Sequence, residues 1–218
     1  FNAGADVTYK ADSSPVTEAD QRSEAIILEG LRAAFPKIPC VAEEEVAAGH
    51  LPGDLGGLFF LVDPLDGTKE FINRNPDFTV NIALVRNGVP EIGAVLAPAR
   101  HTLYLGSLGK AEAVTLTADF QVETRRPIVT RKAHVPPTIV ASRSHMSPET
   151  EVFIKKFEAA QLVSIGSSLK FCLIAAGESD LYPRFGRTME WDTAAGDAVL
   201  RAAGGSTETV DGKPLAYG

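Results

Sequence analysis

The run Leu58-Phe59-Phe60-Leu61-Val62 passes without a break into Asp63-Pro64-Leu65-Asp66-Gly67-Thr68, and this junction restricts the fold more than any other stretch of the chain. The apolar run reads as a buried strand. It leads out of a core and ends in two nearby carboxylates. Pro64 fixes its own φ and pushes Asp63 into an extended conformation; Asp66-Gly67-Thr68 then reads as the start of a short helix or helical turn. Asp63, Asp66 and the Leu65 carbonyl can therefore face one small volume, with oxygen ligands suited to a hard cation such as Mg²⁺. The amides from Asp66 to Thr68 lie at a helix N-terminus, where they can hold an anion. Metal ligands beside a phosphate cradle point to phosphoryl transfer.

A chain of 218 residues is long enough to enclose such a junction in one domain with a real core, divided at most into two lobes. The net charge of −7 argues against a nucleic-acid polymer as partner. It does not argue against a small phosphorylated molecule, because a bound metal inverts the local field. Cys40 and Cys172 lie far apart, each in an apolar segment, and read as buried free thiols of a reducing compartment, a disulfide or a nucleophile being the alternative. No signal peptide and no membrane-spanning apolar run is evident, so a cytoplasmic protein is expected. The chain starts at Phe1 and stops at Gly218, and native terminal elements are expected to lie outside it.

Around the central junction the pattern alternates. Thr17-Glu18-Ala19-Asp20 opens a helix that carries Ile26, Ile27, Leu31 and Ala34 and stops at Pro36; Thr17 with Asp20 can serve simply as a helix cap. Ile38 to Ala42 reads as a short strand ending in Glu43-Glu44-Glu45, either a solvated face or a ligand cluster. Phe78 to Val85 and Ile92 to Leu96 read as strands around an Asn87-Gly88 turn, and Thr102 to Leu105 and Ala113 to Leu116 continue an antiparallel run. The polar, basic stretch from Asp119 to Pro137, with Arg125, Arg126, Arg131 and Lys132, reads as an exposed linker. It separates a first lobe, about residues 1–125, from a second, about 126–218. Thr138 to Ala141, Leu162 to Ile165 and Asp180 to Pro183 are expected as strands; Pro148 to Ala160, Ser168 to Ala176 and Asp192 to Ala203 as helices. The fold class is α/β, with a mainly antiparallel first lobe and a mixed second lobe in layered helices and sheets.

Asp20, the Glu43–Glu45 run, Asp63 with Asp66, and Asp192 all fall at ends of predicted elements, where clefts of α/β folds are built. Asp192 alone could be a helix N-cap. Together the acids can hold two or three divalent ions about 4 Å apart that polarise a phosphate ester and activate water. His50, His101, His134 and His145 share no zinc spacing and read as surface or loop residues. Trp191 reads as packing beneath Asp192.

The ordered set Pro15-Val16-Thr17-Glu18-Ala19-Asp20, Ala42-Glu43-Glu44, Asp63 to Thr68 and Trp191-Asp192-Thr193-Ala194-Ala195-Gly196 resembles the inositol monophosphatase superfamily of Mg²⁺-dependent, lithium-sensitive phosphatases. Gly166-Ser167-Ser168-Leu169-Lys170-Phe171-Cys172 and Tyr182 to Gly186 look most like its 3′(2′),5′-bisphosphate nucleotidase (CysQ) branch. The resemblance implies a layered αβαβα sandwich and a substrate, 3′-phosphoadenosine 5′-phosphate, cleaved to AMP and phosphate. It implies that Glu43, Asp63 and the Leu65 carbonyl hold one Mg²⁺ and that Asp63, Asp66 and Asp192 hold a second. Thr68, paired with Asp20, would orient and deprotonate the attacking water. Asp66, Gly67 and Thr68 amides would hold the scissile phosphate. Glu44 would support the water or a third, weaker metal near Lys10; either Glu43 or Glu44 can fill the first-ligand place, with Glu43 favoured by the family's pattern.

Substrate-binding residues are expected at Asp66, Gly67, Thr68, Ser142, Ser167, Lys170, Arg184 and Asp192. Arg184 stands where inositol-specific members of the family carry a glutamate. A cation there favours a second phosphate over a neutral polyol, unless Arg184 pairs with Glu178 or Asp180. Ser142, Arg143 and Ser144 either donate to nucleotide or phosphate or lead into the helix at Pro148. The expected partner is thus a small phosphorylated nucleotide, a homodimer being compatible. The rivals are an inositol-phosphate or sugar-phosphate phosphatase and a non-catalytic metal- or nucleotide-binding regulator.

Overall fold

The computed structural model describes residues 7–9, 15–142 and 146–218; Lys10, Arg143, Ser144 and His145, named above, lie outside the described residues. A short antiparallel pair, β1 (Val7–Tyr9) and β2 (Pro15–Thr17), leads into α1 (Glu18–Ala34). Then follow β3 (Cys40–Ala42), α2 (Glu43–Ala47), β4 (Leu58–Asp66), α3 (Thr68–Ile72), β5 (Thr79–Arg86), β6 (Val89–Ala97), β7 (Thr102–Ser107), β8 (Lys110–Leu116) and β9 (Val122–Ile128). The remaining elements are β10 (Thr138–Ser142), α4 (Pro148–Ile154), β11 (Gln161–Ile165), α5 (Leu169–Ala175) and α6 (Glu190–Ala202).

The strands β3 to β9 form one seven-stranded sheet in sequence order, with β3 parallel to β4 and every later pair antiparallel. The apolar run in β4 is uninterrupted because both its faces are covered. Phe60 and Val62 pack with Leu28 of α1, Cys40 and Ala42. Phe59 and Leu61 turn to the other face, into a core shared with Ala83, Val85, Val95, Phe171, Ala194 and Val199. Each such side chain taken from water contributes about 1.5–3 kcal/mol.

Helix α6 reaches this second face through small residues. Gly93 of β6 and Gly106 of β7 are directly paired. A Cβ on Gly93 would lie 2.3 Å from the Ala195 carbonyl oxygen, and one on Gly106 would lie 2.5 Å from Val199 Cα. The helix backbone thus rests on the sheet itself, with Ala194, Ala195 and Ala198 buried beneath it. Beyond α5 and α6, β10 and β11 form a second, parallel two-stranded sheet. The mixed α/β class follows as expected. Among the described residues no helix is long and apolar enough to cross a membrane.

Four expectations are corrected. The basic stretch after Asp119 carries a strand, β9, paired along its length with β8, and the division drawn near residue 125 passes through it. Exposed polar residues hid this strand: β9 is the sheet's outer edge, exposed from Val122 to Pro127, and charges and proline suit an edge. The helix from Pro148 ends at Ile154 rather than Ala160. The strand expected at Asp180–Pro183 is a single bridge between Leu181 and Ile139. Asp192 is not an N-cap; that position belongs to Met189.

Candidate active site

Helix α1 stands behind the site and braces the segments that line it. Its cap is reciprocal: Asp20 Oδ2 accepts from the Thr17 amide at 2.8 Å and the Thr17 hydroxyl at 2.6 Å, while Thr17 Oγ1 accepts from the Ala19 amide at 3.1 Å. The cap uses one oxygen only, and the other, Asp20 Oδ1, accepts from Thr68 Oγ1 at 3.1 Å. Ser23 donates to the Pro64 carbonyl at 3.0 Å, tying the same helix to the Asp63–Asp66 turn. Glu24, one turn after Asp20, accepts from the backbone amides of Glu44 at 2.7 Å and Glu45 at 2.8 Å. It thereby caps α2, which has no side-chain cap of its own, and fixes the helix that presents Glu43. Burial and the neighbouring Glu45 and Glu43 raise the Glu24 carboxyl despite those two amides.

The turn after β4 depends on Gly67, whose φ of 95° is left-handed and suits glycine. Asp63 is buried, and its Oδ1 accepts from the Leu65 amide at 3.0 Å. Thr68 Oγ1 lies 3.3 Å from the Leu65 carbonyl oxygen as well. On the far side, α6 presents Asp192 in its first turn, where Oδ2 accepts from Thr188 Oγ1 and the Met189 amide, both at 2.9 Å. Thus β4, α2 and α6 deliver the acids from three directions.

They meet around one cavity of about 500 Å³. Glu43, Asp63, Leu65, Asp66, Gly67, Thr68 and Asp192 line it, as do Ser142, Ser167, Lys170 and Arg184. Asp20 stands behind Thr68, only 2% exposed. Of the acidic triplet, Glu43 lines the cavity, Glu45 pairs with Arg32 at 2.7 Å, and Glu44 is not among the lining residues. Trp191 packs against the core at the cavity wall.

The electrostatics are those of crowded anions. Burial, then Asp66, Glu43 and Asp192, push the Asp63 carboxyl well above its ordinary range. Burial and Asp192 push Asp66 to about 6, against the opposing pull of Lys170 and Ser168. Lys170, 3% exposed, is lowered by burial to about 8; its ammonium donates to the Ser167 carbonyl and lies 5.3 Å from the Tyr182 ring centre. Among the described residues no three histidine, cysteine, aspartate or glutamate side chains are gathered closely enough to hold a metal ion by themselves. The acids ring the cavity instead.

Arg184 pairs with neither acid expected to neutralise it. Glu178 meets Arg126 at 3.6 Å and Asp180 meets Arg131 at 2.8 Å. The Arg184 guanidinium donates to the Arg187 carbonyl at 2.8 Å and to the Tyr182 hydroxyl at 3.4 Å, and its Nε has no partner among the described residues. Cys40 and Cys172 are free and buried. His50 and His134 are exposed, and His101 rests against Phe120 with ring centres 5.3 Å apart.

Sequence reasoning passed over Glu24 and Asn81. The signal for Glu24 was its spacing: Asp20, Glu24 and Leu28 recur every four residues, so a carboxylate shares the buried face of α1. For Asn81 it was an amide within the otherwise apolar run Val80 to Val85.

The sequence as a whole supports the same grouping. A sequence model of the inositol monophosphatase family matches residues 1–218. The 3′(2′),5′-bisphosphate nucleotidase CysQ of Escherichia coli (strain K12) is 47% identical over 214 residues, 97% of this chain and 83% of that protein. The crystal structure of CysQ from Bacteroides thetaiotaomicron superposes with a TM-score of 0.77 at 40% identity, covering 95% of this chain and 81% of that one. An inositol monophosphatase from Anabaena gives a TM-score of 0.72 at 29% identity, over 90% and 77% of the respective chains. With a family model matched from end to end and a relative 47% identical over 97% of this chain, the chain belongs to the inositol monophosphatase family.

Proposed function

We infer that this chain is a Mg²⁺-dependent 3′(2′),5′-bisphosphate nucleotidase that removes the 3′-phosphate of 3′-phosphoadenosine 5′-phosphate, giving AMP and phosphate. The observation that carries this reading is the convergence of Glu43, Asp63, Asp66 and Asp192 on the cavity that Lys170 and Arg184 also line. The likeness to the E. coli nucleotidase supports it.

The donor set fits a divalent cation. Buried carboxylates that raise one another's pKa are stabilised by positive charge, and every acid here offers hard oxygen. Mg²⁺ is held through one or two carboxylates and keeps water and substrate oxygens for the rest of its shell, so a ring of acids suits it better than a closed cage would. Glu43, Asp63 and the Leu65 carbonyl would hold one ion; Asp63, Asp66 and Asp192 would hold another. Such ions, when bound, supply Lewis acidity at the phosphate ester and lower the pKa of water.

The chain's own residues move the proton and hold the substrate. Thr68 donates to Asp20 at 3.1 Å, which leaves a lone pair of its hydroxyl to accept from the attacking water. As that water loses its proton to Thr68 Oγ1, the threonine proton passes to Asp20 Oδ1, so the pair acts as one general base. The amides of Asp66, Gly67 and Thr68 would orient the phosphate oxygens. Arg184 and Lys170, with Ser142 and Ser167 as further donors, suit a second, anionic substituent such as the 5′-phosphate.

A phosphate-release panel tests this. With Mg²⁺, kcat/KM for 3′-phosphoadenosine 5′-phosphate should exceed that for inositol 1-phosphate, and chelation should abolish both. Arg184→Glu should narrow the gap. Preference for inositol 1-phosphate would make the chain an inositol monophosphatase, and metal uptake without phosphate release would make it a binding protein.

A further inference from the structure

Behind the acids lies a polar pair that the proposed reaction does not itself use. Asn81 is fully buried on β5, directly opposite Asp63 of β4. Its Nδ2 donates to Ser168 Oγ at 2.9 Å and reaches Asp66 Oδ2 at 3.4 Å. Ser168, 2% exposed, precedes α5. Its hydroxyl stands 3.0 Å from Asp66 Oδ2 and 2.6 Å from the backbone carbonyl oxygen of Asp192. A serine hydroxyl has one proton and two lone pairs. Asn81 occupies a lone pair, and the single proton is left to serve Asp66 or Asp192. One buried oxygen therefore joins β4, β5, α5 and α6.

The amide meets this arrangement at its own expense. Asn81 Oδ1 is buried without a partner among the described residues, and such an orphan costs about 1–3 kcal/mol. Turned over, the amide would set its oxygen against the Asp66 carboxylate, acceptor against acceptor, and could accept only the single Ser168 proton, drawing it from Asp66 and Asp192. Asn81 shares the buried face of β5 with Thr79, Ala83 and Val85, and a fully buried amide that leaves its own oxygen unpaired calls for a reason beyond packing.

We propose that Asn81 and Ser168 are positioning residues that set the separation and orientation of Asp66 and Asp192, and so the affinity of the cavity for a divalent cation. This rests on the metal-dependent reading given above. Ser168 lies against both the Asp66 carboxylate and the Asp192 carbonyl and holds one of them with its single proton, while Asn81 keeps Ser168 in place and reaches Asp66 Oδ2 itself. Outer partners of carboxylate ligands act in this way, and their loss costs about 10–100-fold in metal affinity.

Mn²⁺ binding, followed by electron paramagnetic resonance on the metal-free protein, tests the proposal without relying on turnover. Ser168→Ala and Asn81→Ala should each weaken Mn²⁺ binding at least about tenfold. Ser168→Thr, which restores the hydroxyl, should recover part of the loss. Thermal unfolding of the metal-free variants serves as control; if Ser168→Ala does not fold, Asn81→Ala decides alone. Folded variants that bind Mn²⁺ as tightly as the unaltered chain would overturn the positioning role. An unaltered chain that takes up no Mn²⁺ would instead overturn the metal-dependent reading itself, so the two failures are distinct.

Discussion

Asp20 shows how one carboxylate serves fold and site at once. Oδ2 closes the N-terminus of α1 through Thr17, and Oδ1 receives the Thr68 hydroxyl. The two oxygens divide the work, so substitutions separate it. Thr68→Val keeps the shape and the cap but deletes the hydroxyl, and kcat should fall by about 10²–10⁴-fold with little change in KM. Asp20→Asn should lower kcat as far and also weaken the cap, by about 0.5–2 kcal/mol. If the proposed pair of Thr68 and Asp20 acts as one general base, the double variant should lose little more turnover than either single one; steady-state kinetics on the three proteins checks this, and additive losses would separate the pair. The same scale settles which acid of Glu43-Glu44-Glu45 faces the cavity. Three adjacent glutamates are indistinguishable as letters, yet only Glu43 lines the cavity, since Glu24 holds the amides of the other two and so fixes the rotation of α2.

At the scale of elements, α6 carries Asp192 to the cavity only because the sheet beneath it is bare. Ala on Gly93 would place its Cβ 2.3 Å from the Ala195 carbonyl oxygen and 2.7 Å from Ala198 Cβ, contacts that backbone must move to relieve. Gly93→Ala should therefore destabilise the protein by about 1–3 kcal/mol. Because the displaced element is the one that bears Asp192, turnover should fall more than Gly30→Ala would lower it, a position in α1 whose added Cβ meets nothing within 4 Å. Thermal unfolding and kcat measured side by side check both halves. Much of this layer was legible in the sequence: the uninterrupted apolar run of β4 and the alanine-rich face of α6 announce burial by composition alone. The glycines were not, because the need for Gly93 and Gly106 exists only once a strand pair and a helix from a distant part of the chain are in contact. Strand β9 was illegible for the opposite reason. Its pairing lies in backbone hydrogen bonds to β8, while its side chains from Val122 to Pro127 stay exposed and only Ile128 enters the core, too little apolar signal to mark a strand.

Over the whole molecule, the stretch expected as a loose connection is secured at several points. The Thr130 amide donates to the Ala203 carbonyl at the end of α6, at 3.0 Å. Arg131 then grips Asp180 with Nε at 2.8 Å and Nη2 at 3.1 Å, and Asp180 also accepts from the Thr138 amide at 2.7 Å. The large sheet, α6, the small sheet and the segment after α5 are joined there, far in sequence from the acids. Neither Arg131 nor Asp180 stands out along the chain, since pairing across 49 residues leaves no local pattern. Their bond should nevertheless be visible in acid. The Arg131 guanidinium, with the Thr138 amide, holds the Asp180 carboxyl down at about 2, below its ordinary 3.8. A depressed carboxyl contributes stability that is fully present above its unfolded pKa and is lost as pH falls through the folded value. Asp180 should thus support the fold at neutral pH and cease to do so between about pH 4 and pH 2. Asp180→Asn should lower Tm at pH 7 by about 4 °C, and the gap between variant and unaltered chain should close as pH falls across that window. If the gap instead stays constant from pH 7 to pH 2, the bond between Arg131 and Asp180 contributes nothing through charge, and the junction is held by packing and by its uncharged hydrogen bonds.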